Sequence, residues 1–373
     1  MKKKILYLFS DTGGGHRSAA TALMRAVEEL KGKEAPVQEM VDVFAECSKF
    51  LNIFAKLYGP VIKYSPKMWG VLYYWLNDLK KLQAMEKMAR PFIEKELAAL
   101  IQKRKPDVIV SVHPMMNHLT VAALKQINKD IPVITVITDP VSLHAAWVCK
   151  DVDMIITATK EARDTAIEYG GHPSKIKMLG FPIDPKFSKK PSDKTNIRKA
   201  MNLDPKLFTV LMMGGGEGGG KMYDIIQELD RAGLPLQLII IAGRNENLKK
   251  RLESNVKYFN VPMKVYGFTS EVPEIMSASD LVITKAGPGS ITEALARELP
   301  IIITSWLPGQ EEGNVEYVKK TGVGLICTDY RKIAKTVKGL MQPAAYDRMK
   351  KKIKKNSNPK AVFAIARAIL ASF

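Results

Sequence analysis

The sequence predicts an α/β fold built from two doubly wound, Rossmann-like domains that face a cleft. Two observations support this fold class. Short apolar runs alternate with helical periodicity along most of the chain, and the order strand, glycine-rich turn, helix occurs at residues 4–30 and again at 208–234. Strands of a parallel sheet covered on both faces have such continuous apolar runs. A ligand is therefore expected in the cleft, beyond the carboxyl ends of the strands.

The first half opens with an apolar run at residues 4–10, a turn at 11–16 that contains three glycines, and a helix over 17–30. The helix is predicted because Ala20, Leu23, Val27 and Leu30 recur at intervals of three and four, which places them on one helical face. Further strands of this half are predicted at 108–112, 133–137 and 154–157.

The second half repeats the pattern with a strand at 208–213, a glycine-rich loop at 214–220 and a helix at 223–234. Short apolar runs then predict further strands at 236–242, 263–266, 281–284 and 301–304. Since the strands of both halves are separated by helical segments, the sheets are expected to be parallel.

Composition predicts where the domains end. Pro, Ser, Asp, Lys and Asn accumulate at 187–205, and apolar periodicity lapses there. We expect a first domain at 1–190, a linker at 191–205 and a second domain at 206–355. The tail at 356–373 is expected to contain a helix that packs across the domains, because one helical face carries Val362, Ile365, Ala366 and Ile369.

The charge of the chain implies an anionic partner. The 373 residues carry 57 Lys and Arg against 38 Asp and Glu, a formal net charge of +19. Residues 44–105 interleave twelve basic and five acidic residues with many Trp, Tyr and Phe side chains. This mixture suits anionic membrane lipids and predicts a peripheral protein on the cytoplasmic side of a membrane, although a solvated helix face has the same composition. Because no nucleic-acid-reading motif is present, nucleic acid is not expected as a partner.

Neither a metal nor a disulfide framework is predicted. The three cysteines are far apart and have no paired spacing, which fits a reducing compartment. His113 and His118 are five residues apart, so one helical face would not carry both. The pair Asp151 and Asp153 has a metal-binding spacing but directly precedes a predicted strand, and we interpret it as the exposed entrance to that strand.

Residues 285–300 have the parts of a nucleoside-diphosphate pocket. An apolar strand ends in a glycine-rich turn that opens a helix, whose free N–H groups and positive dipole end attract phosphate. Gly287 and Gly289 lack the Cβ atom that would hold phosphate away. Glu293 can accept hydrogen bonds from a ribose diol, although an exposed carboxylate in the first turns of a helix needs no ligand to explain it. Sugar hydroxyls are the expected partners of Gln310, Glu311 and Asn314.

Five motifs together resemble the monogalactosyldiacylglycerol synthase family of glycosyltransferases, which is related to the cell-wall transferase that adds N-acetylglucosamine to a lipid-linked precursor. The motifs are SDTGGGHR at 10–17, TDP at 138–140 with HAAW at 144–147, MGGGEG at 213–218, ITKAGPG at 283–289 and GQEEGN at 309–314. The resemblance implies a B-type glycosyltransferase that binds a UDP-hexose in its C-terminal domain and diacylglycerol in its N-terminal domain. It also implies inversion at the anomeric carbon.

Galactose is the hexose favoured by the resemblance. Alternatives that stay open are a glucosyltransferase, an N-acetylglucosaminyltransferase, a UDP-sugar epimerase of the same fold and a non-catalytic UDP-sugar sensor. A P-loop ATPase is disfavoured because Met222 stands where a Walker A loop needs a hydroxyl. Neither a cofactor nor a metal is expected.

Hexose transfer requires a base for the acceptor hydroxyl and an anion cradle for the diphosphate. His16 is the strongest candidate for the base, because it follows a glycine turn at a predicted helix N-terminus, whose dipole disfavours the protonated imidazole. A capping or packing role is its alternative. Asp11 and Asp139 are further candidates, either as the base or as a carboxylate that orients the histidine.

The remaining assignments follow the resemblance. The diphosphate is expected near the glycines of the second-half loop, near Ser290 and near Lys285, whose charge would offset it, with Phe268 beside the uracil or in the core. The loop glycines in question are Gly214, Gly215, Gly216 and Gly218. The residues expected on the acceptor side are Gly14, Gly15, His113, His144 and Trp147.

Overall fold

The computed structural model describes residues 2–11, 14–215 and 221–373, except for the side chains of Phe54 and Lys63. The chain divides into two compact units. The first runs to Pro185 and also includes Leu307–Gln310 and Lys360–Phe373, and the second comprises Lys186–Trp306 and Glu311–Pro359.

Each unit contains a six-stranded sheet whose described neighbouring strands are parallel. The first sheet has the order β2-β1-β3-β4-β5-β6 and the second β12-β11-β10-β7-β8-β9. The strands are β1 (Lys4–Phe9), β2 (Val37–Asp42), β3 (Val108–Ser111), β4 (Val133–Val136), β5 (Met154–Thr157), β6 (Ile176–Met178), β7 (Phe208–Met213), β8 (Leu236–Ile241), β9 (Met263–Tyr266), β10 (Leu281–Lys285), β11 (Ile301–Ser305) and β12 (Gly324–Ile326). The doubly wound α/β fold class predicted from the sequence is confirmed.

Helices connect nearly all of these strands, as parallel pairing requires. In chain order they are α1 (Gly15–Lys31), α2 (Val43–Cys47), α3 (Lys49–Tyr64), α4 (Pro66–Leu76), α5 (Leu79–Ala89), α6 (Glu94–Arg104), α7 (Met116–Gln126), α8 (Lys160–Glu168), α9 (Lys194–Ala200), α10 (Met222–Arg231), α11 (Glu246–Asn255), α12 (Val272–Ala278), α13 (Pro288–Ala296), α14 (Glu312–Thr321), α15 (Ile333–Leu340), α16 (Pro343–Asn356) and α17 (Ala361–Leu370).

The first sheet buries both of its faces. Along β1, Ile5, Tyr7 and Phe9 belong to one hydrophobic cluster, whereas Leu6 and Leu8 belong to another. Successive side chains of a strand point to opposite faces, so one strand supplies both layers. This explains why β1 is an unbroken apolar run and why no polar alternation marks it.

Helix α17 covers one of these layers. Val362, Ile365, Ala366 and Ile369 are fully buried in the cluster that also contains the apolar side of α1. These are the four residues predicted on the apolar face of the tail, and the tail from Lys360 onward belongs to the first unit.

Part of the segment predicted as a linker, residues 191–205, is helical in the structure. Asp193 caps α9 by accepting from the backbone N–H of Asn196. The buried Arg198 donates to Asp280 over 2.5 Å and to the carbonyl of Ala278 over 2.8 Å, and Lys194 donates to the other oxygen of Asp280. These contacts attach α9 to the second unit, which begins at Lys186.

Candidate functional site

The first sheet has its topological switch point between β1 and β3, because the chain winds from β1 to β2 on one side and continues from β3 on the other. Open α/β sheets bind ligands outside the carboxyl ends of the strands at such a point. Here those ends carry Asp11 and His113. Gly14 precedes α1 with a left-handed φ of 51°, and the helix begins at Gly15, with open space where a Cβ of either glycine would lie.

His16 lies in the first turn of α1, half-buried, at this switch point. Its Nδ1 is 2.7 Å from the carbonyl oxygen of Val112, which follows β3. A carbonyl oxygen can only accept, so we assign the proton of the neutral ring to Nδ1. The other nitrogen, Nε2, then carries the lone pair and can accept a proton. The hydroxyl oxygen of Thr138 lies 3.0 Å from the same Nδ1.

Aromatic rings surround the imidazole. The His113 ring centroid is 4.6 Å from that of His16, and the Trp147 ring is at 6.0 Å. Burial lowers the pKa of His16 to about 4, against the opposite effects of the Val112 hydrogen bond and the Asp11 charge. Burial also holds the pKa of His113 well below its usual value, and His16 adds to that shift. Both rings are therefore neutral at pH 7, as a base at rest must be.

The two carboxylates considered as alternative bases have other partners. Asp11 is exposed and pairs with Arg17 across 3.1 Å. Asp139 is nearly buried and accepts a 2.6 Å hydrogen bond from the indole N–H of Trp147. In the described hydrogen bonds of His16, the orienting oxygens come from Val112 and Thr138 and not from a carboxylate.

The residues expected on the acceptor side differ in what they contact. Trp147 is fully buried, packs beside His16 and donates to Asp139, so its predicted place on the acceptor side stays a prediction. His113 accepts from the backbone N–H of Met115 and is 5% exposed. His144 caps the turn at Ala145–Trp147 with its Nδ1, and burial lowers its pKa to about 4.

The second sheet has its switch point between β10 and β7. Gly214 and Gly215 follow β7, and Gly215 has a φ of 74°, a region that side chains with a Cβ rarely adopt. A Cβ on Gly215 would lie 3.0 Å from Cε of Lys285, the last residue of β10. The two strand ends therefore meet, as the predicted nucleotide pocket requires. Gly216 and Gly218 lie outside the described residues.

An ion pair occupies this meeting point. Nζ of Lys285 is 2.5 Å from Oε1 of Glu311, whose side chain is 4% exposed against 34% for the lysine. A Cβ on Gly287 would approach Lys285 to 3.6 Å and Glu311 to 3.9 Å. The glycines thus leave room for the lysine stem and the carboxylate. The sequence alone did not predict this pair, because it treated the two side chains as separate ligand contacts.

Helix α13 points its N-terminus at the same region. Gly287 occupies the cap position and Pro288 the first helical position, so no cap side chain covers the first N–H groups. Open space lies where a Cβ of Gly289 would be, and Ser290 and Glu293 are half-buried in the following turns. The arrangement matches an anion site at a helix N-terminus.

The last residues of the predicted sugar-reading loop have structural partners. The amide nitrogen of Asn314, which is 3% exposed, donates to the carbonyl of Ala286 over 2.9 Å. That bond fixes the turn between β10 and α13, so the amide nitrogen of Asn314 holds the pocket in shape. Gln310 belongs to the first unit, where its Oε1 accepts from the hydroxyl of Tyr58 over 3.1 Å.

Phe268 follows β9 and is 69% exposed, which rules out core packing as the reason for an aromatic side chain there. The guanidinium of Arg244, which follows β8, lies 5.2 Å from its ring centroid. This cation–π contact adds a positive charge at the carboxyl ends of adjacent strands. Sequence reasoning missed Arg244; its position just after a predicted strand, behind Gly243, was the available signal.

Helices α3, α4 and α5 expose many apolar side chains. We use the name apolar face of α3–α5 for six of them taken together, namely Ile53, Tyr64, Val71, Tyr74, Trp75 and Met88, each between 54% and 75% exposed. Lys81 lies 4.9 Å above the ring of Trp75. Large exposed apolar patches mark binding surfaces. Among the helices of the described chain, none combines the length and apolar character that crossing a bilayer requires.

Within the described part of the chain, no three His, Cys, Asp or Glu side chains lie close enough together to hold a metal ion. Asp151 pairs with Lys125 over 2.7 Å, and Asp153 accepts from the backbone N–H of Val133. Both lie at the amino end of β5, away from the carboxyl ends that carry the switch point. The three cysteines are buried and free.

Two family models match the chain. The model described as monogalactosyldiacylglycerol (MGDG) synthase matches residues 16–183, and the glycosyltransferase family 28 C-terminal domain matches 209–364. Among curated proteins, the chloroplastic monogalactosyldiacylglycerol synthase of Spinacia oleracea is 36% identical over 375 residues, which covers 97% of this chain and 71% of the relative.

Solved structures share the fold at low sequence identity. MurG of Acinetobacter baumannii superposes with a TM-score of 0.62 and 13% identity, covering 99% of both chains. The UDP-GlcNAc 2-epimerase of Neisseria meningitidis, solved bound to UDP-GlcNAc, gives a TM-score of 0.62 and 15% identity over 99% of this chain and 100% of that one. These likenesses support the B-type glycosyltransferase fold, which transferases and an epimerase share.

Proposed function

The chain belongs to the monogalactosyldiacylglycerol synthase family, and we propose that it transfers a hexose, galactose in the favoured case, from a UDP-sugar to the hydroxyl of diacylglycerol. The observation that carries this proposal is the state of His16. Its Nδ1 donates to the Val112 carbonyl, which leaves Nε2 as a proton acceptor at the switch point of the first sheet.

The proposed reaction is a single displacement. The diacylglycerol oxygen attacks the anomeric carbon and passes its proton to Nε2 of His16, while the bond from that carbon to UDP breaks and its electron pair leaves with the diphosphate. Because the oxygen enters opposite the leaving group, the configuration inverts and a β-glycolipid forms from an α-linked donor. The proton on Nδ1 stays hydrogen-bonded to the Val112 carbonyl, whose dipole favours the imidazolium that forms.

On the donor side, we propose that the diphosphate binds at the N-terminus of α13. Free N–H groups, the helix dipole and the ammonium of Lys285 would offset the charge that develops as UDP departs. Glu293 would accept from the ribose, and the exposed ring of Phe268 would stack on uracil, with Arg244 on the same ring. Since protein groups supply the positive charge, transfer is proposed to need no metal, and EDTA should leave its rate unchanged.

On the acceptor side, we propose that the apolar face of α3–α5 contacts anionic lipids, which would place the enzyme peripherally on the cytoplasmic side of a membrane. Support comes from its exposed aromatic side chains and from Lys81 above the ring of Trp75, a combination that suits the membrane interface. In vesicle flotation at low salt, binding to anionic vesicles is expected and should weaken as salt rises. Replacing Tyr74 and Trp75 by Ala should reduce it, and equal flotation with neutral vesicles would contradict the electrostatic part.

The activity test uses labelled UDP-galactose or UDP-glucose with and without diacylglycerol. We expect labelled glycolipid from UDP-galactose only when diacylglycerol is present. Faster transfer from UDP-glucose would identify UDP-glucose as the preferred donor. Conversion of the free nucleotide sugar without the lipid would indicate an epimerase, and binding without turnover a sensor. Either of the last two outcomes would overturn the proposal.

A further inference from the structure

We propose that Thr138 is a positioning residue for His16, and that it acts together with the Val112 carbonyl to hold the tautomer whose Nε2 takes the proton. The inference rests on the proposed role of His16 as base. Thr138 stands beside Asp139 in the TDP motif, yet the sequence drew attention only to the aspartate.

The geometry around Nδ1 leaves one consistent arrangement. Two oxygens face this nitrogen, the Val112 carbonyl at 2.7 Å and the Thr138 hydroxyl at 3.0 Å. Because the carbonyl must accept, Nδ1 carries the proton and has no lone pair for the threonine. The Thr138 oxygen is therefore a second acceptor of the same N–H, and its own proton points elsewhere. A ring with the proton on Nε2 would instead face the carbonyl with a lone pair.

The sheet holds both oxygens in place. Val112 directly follows β3, Thr138 follows the neighbouring strand β4 by two residues, and the two strands pair in register. Val112 is fully buried and Thr138 is 4% exposed. Groups carried on packed strand ends hold a reacting side chain more accurately than groups on loops. The imidazole is therefore oriented before any ligand arrives.

Here two neutral oxygens orient the imidazole and fix its tautomer, which is the role of a carboxylate in hydrolytic triads. Among the described charged and titratable groups, Asp11 and His113 interact with His16, while Arg17 and Asp139 belong to the neighbouring β1–α1 and post-β4 segments. Asp11 is paired with Arg17 and Asp139 with the Trp147 indole. When the proton arrives at Nε2, the positive charge spreads to Nδ1–H, where two acceptors stabilise it.

The first test replaces Thr138 by Val, which keeps the shape and removes the hydroxyl. We expect kcat to fall about 10-fold, the usual effect of losing one hydrogen bond to a group that becomes charged, while KM for the UDP-hexose changes less than twofold. The acid limb of the pH profile should move to lower pH, because the imidazolium loses an acceptor. Thr138→Ser should restore most of the rate and the profile.

The matched control is Thr157→Val. Thr157 ends β5, is fully buried, and its hydroxyl has no hydrogen-bond partner among the described residues. Its replacement should leave kcat and the pH profile unchanged. An equal loss in both variants would show that any buried threonine is sensitive and would overturn the proposal, as would an unshifted profile in Thr138→Val.

A second measurement does not depend on turnover. Nitrogen-15 NMR of the histidine rings, assigned with His16→Ala, reports which nitrogen carries the proton. We expect Nδ1–H for His16 in the wild type and a measurable Nε2–H population in Thr138→Val. A wild-type ring protonated on Nε2 would overturn the proposal even if hexose transfer is confirmed. If transfer fails but Nε2–H appears only in Thr138→Val, Thr138 still holds the tautomer and the proposed reaction is wrong. A Thr138→Val ring that stays entirely Nδ1–H would overturn the positioning role.

Discussion

The ion pair between Lys285 and Glu311 gives a sharp test of the second switch point. Replacing Lys285 by Met removes the ammonium and keeps most of the stem. Glu311 is 3% exposed, so the variant takes the ammonium away from a carboxylate in the interior. Removing one partner of a buried pair costs about 3–5 kcal/mol, and because Lys285 is a third exposed we expect about 2–3 kcal/mol.

The assay is urea unfolding followed by circular dichroism, with hydrogen exchange of β10 and β11 to localise the loss to the second unit. Replacing Lys285 by Met and Glu311 by Leu together should recover most of the stability, because the buried carboxylate is removed together with the ammonium. Lys319→Met is the control, since its pair with Glu316 is exposed on both sides and is worth less than about 1 kcal/mol. If Lys285→Met costs no more than Lys319→Met, the buried pair and the reasoning built on it are wrong.

Three further predictions concern single groups. Phe268→Ala should weaken UDP binding by about 1–3 kcal/mol in calorimetry, the usual value for stacking a base on an aromatic ring, with little loss of stability because the side chain is exposed; the reverse result would return it to a packing role. Glu293→Ala should weaken UDP binding about 10-fold whereas the exposed Glu316→Ala should not, and equal affinities would remove the ribose contact. With a His16 pKa of about 4, the ring is about nine-tenths neutral at pH 5, so kcat/KM should hold from pH 8 to near 5 and fall below it; a fall centred near 6.5 would contradict a base whose pKa is lowered by desolvation.

Interior strands were predictable, whereas three of the four edge strands were not. The prediction missed β2, β6 and β12 and found only one edge strand, β9, which was predicted at 263–266. β2 mixes polar residues into its run and exposes half of Val37, while β6 and β12 are three residues long. An edge strand covered on one side needs no continuous apolar run, so the signal that reveals the interior strands is absent.

Long-range partners also limited the prediction of α9. The composition of 191–205 is that of a loop, and the helix is fixed by pairs with Asp280, more than eighty residues away. No local sequence pattern predicts such a long-range ion pair. The glycine turn did place His16 correctly at the start of α1, since turn and helix are neighbours in the chain.

The difference between local and long-range partners also applies within the candidate site. The partners of His16 are 96 and 122 residues away, and one is a backbone carbonyl, which any residue type could supply. The sequence also does not show which side chains are buried. In the structure Trp147 and Asn314 are buried, whereas Phe268, for which core packing was an alternative, is exposed.

The measurement that tests the central claim most directly is the product of UDP-galactose and diacylglycerol, identified by proton NMR of its anomeric centre, for the wild type and His16→Ala. We predict a β-galactosyl lipid from the wild type, and no detectable product from His16→Ala while calorimetry shows UDP binding nearly unchanged. An α-linked product, or a His16→Ala variant that turns over at the wild-type rate, would contradict direct displacement with His16 as the base.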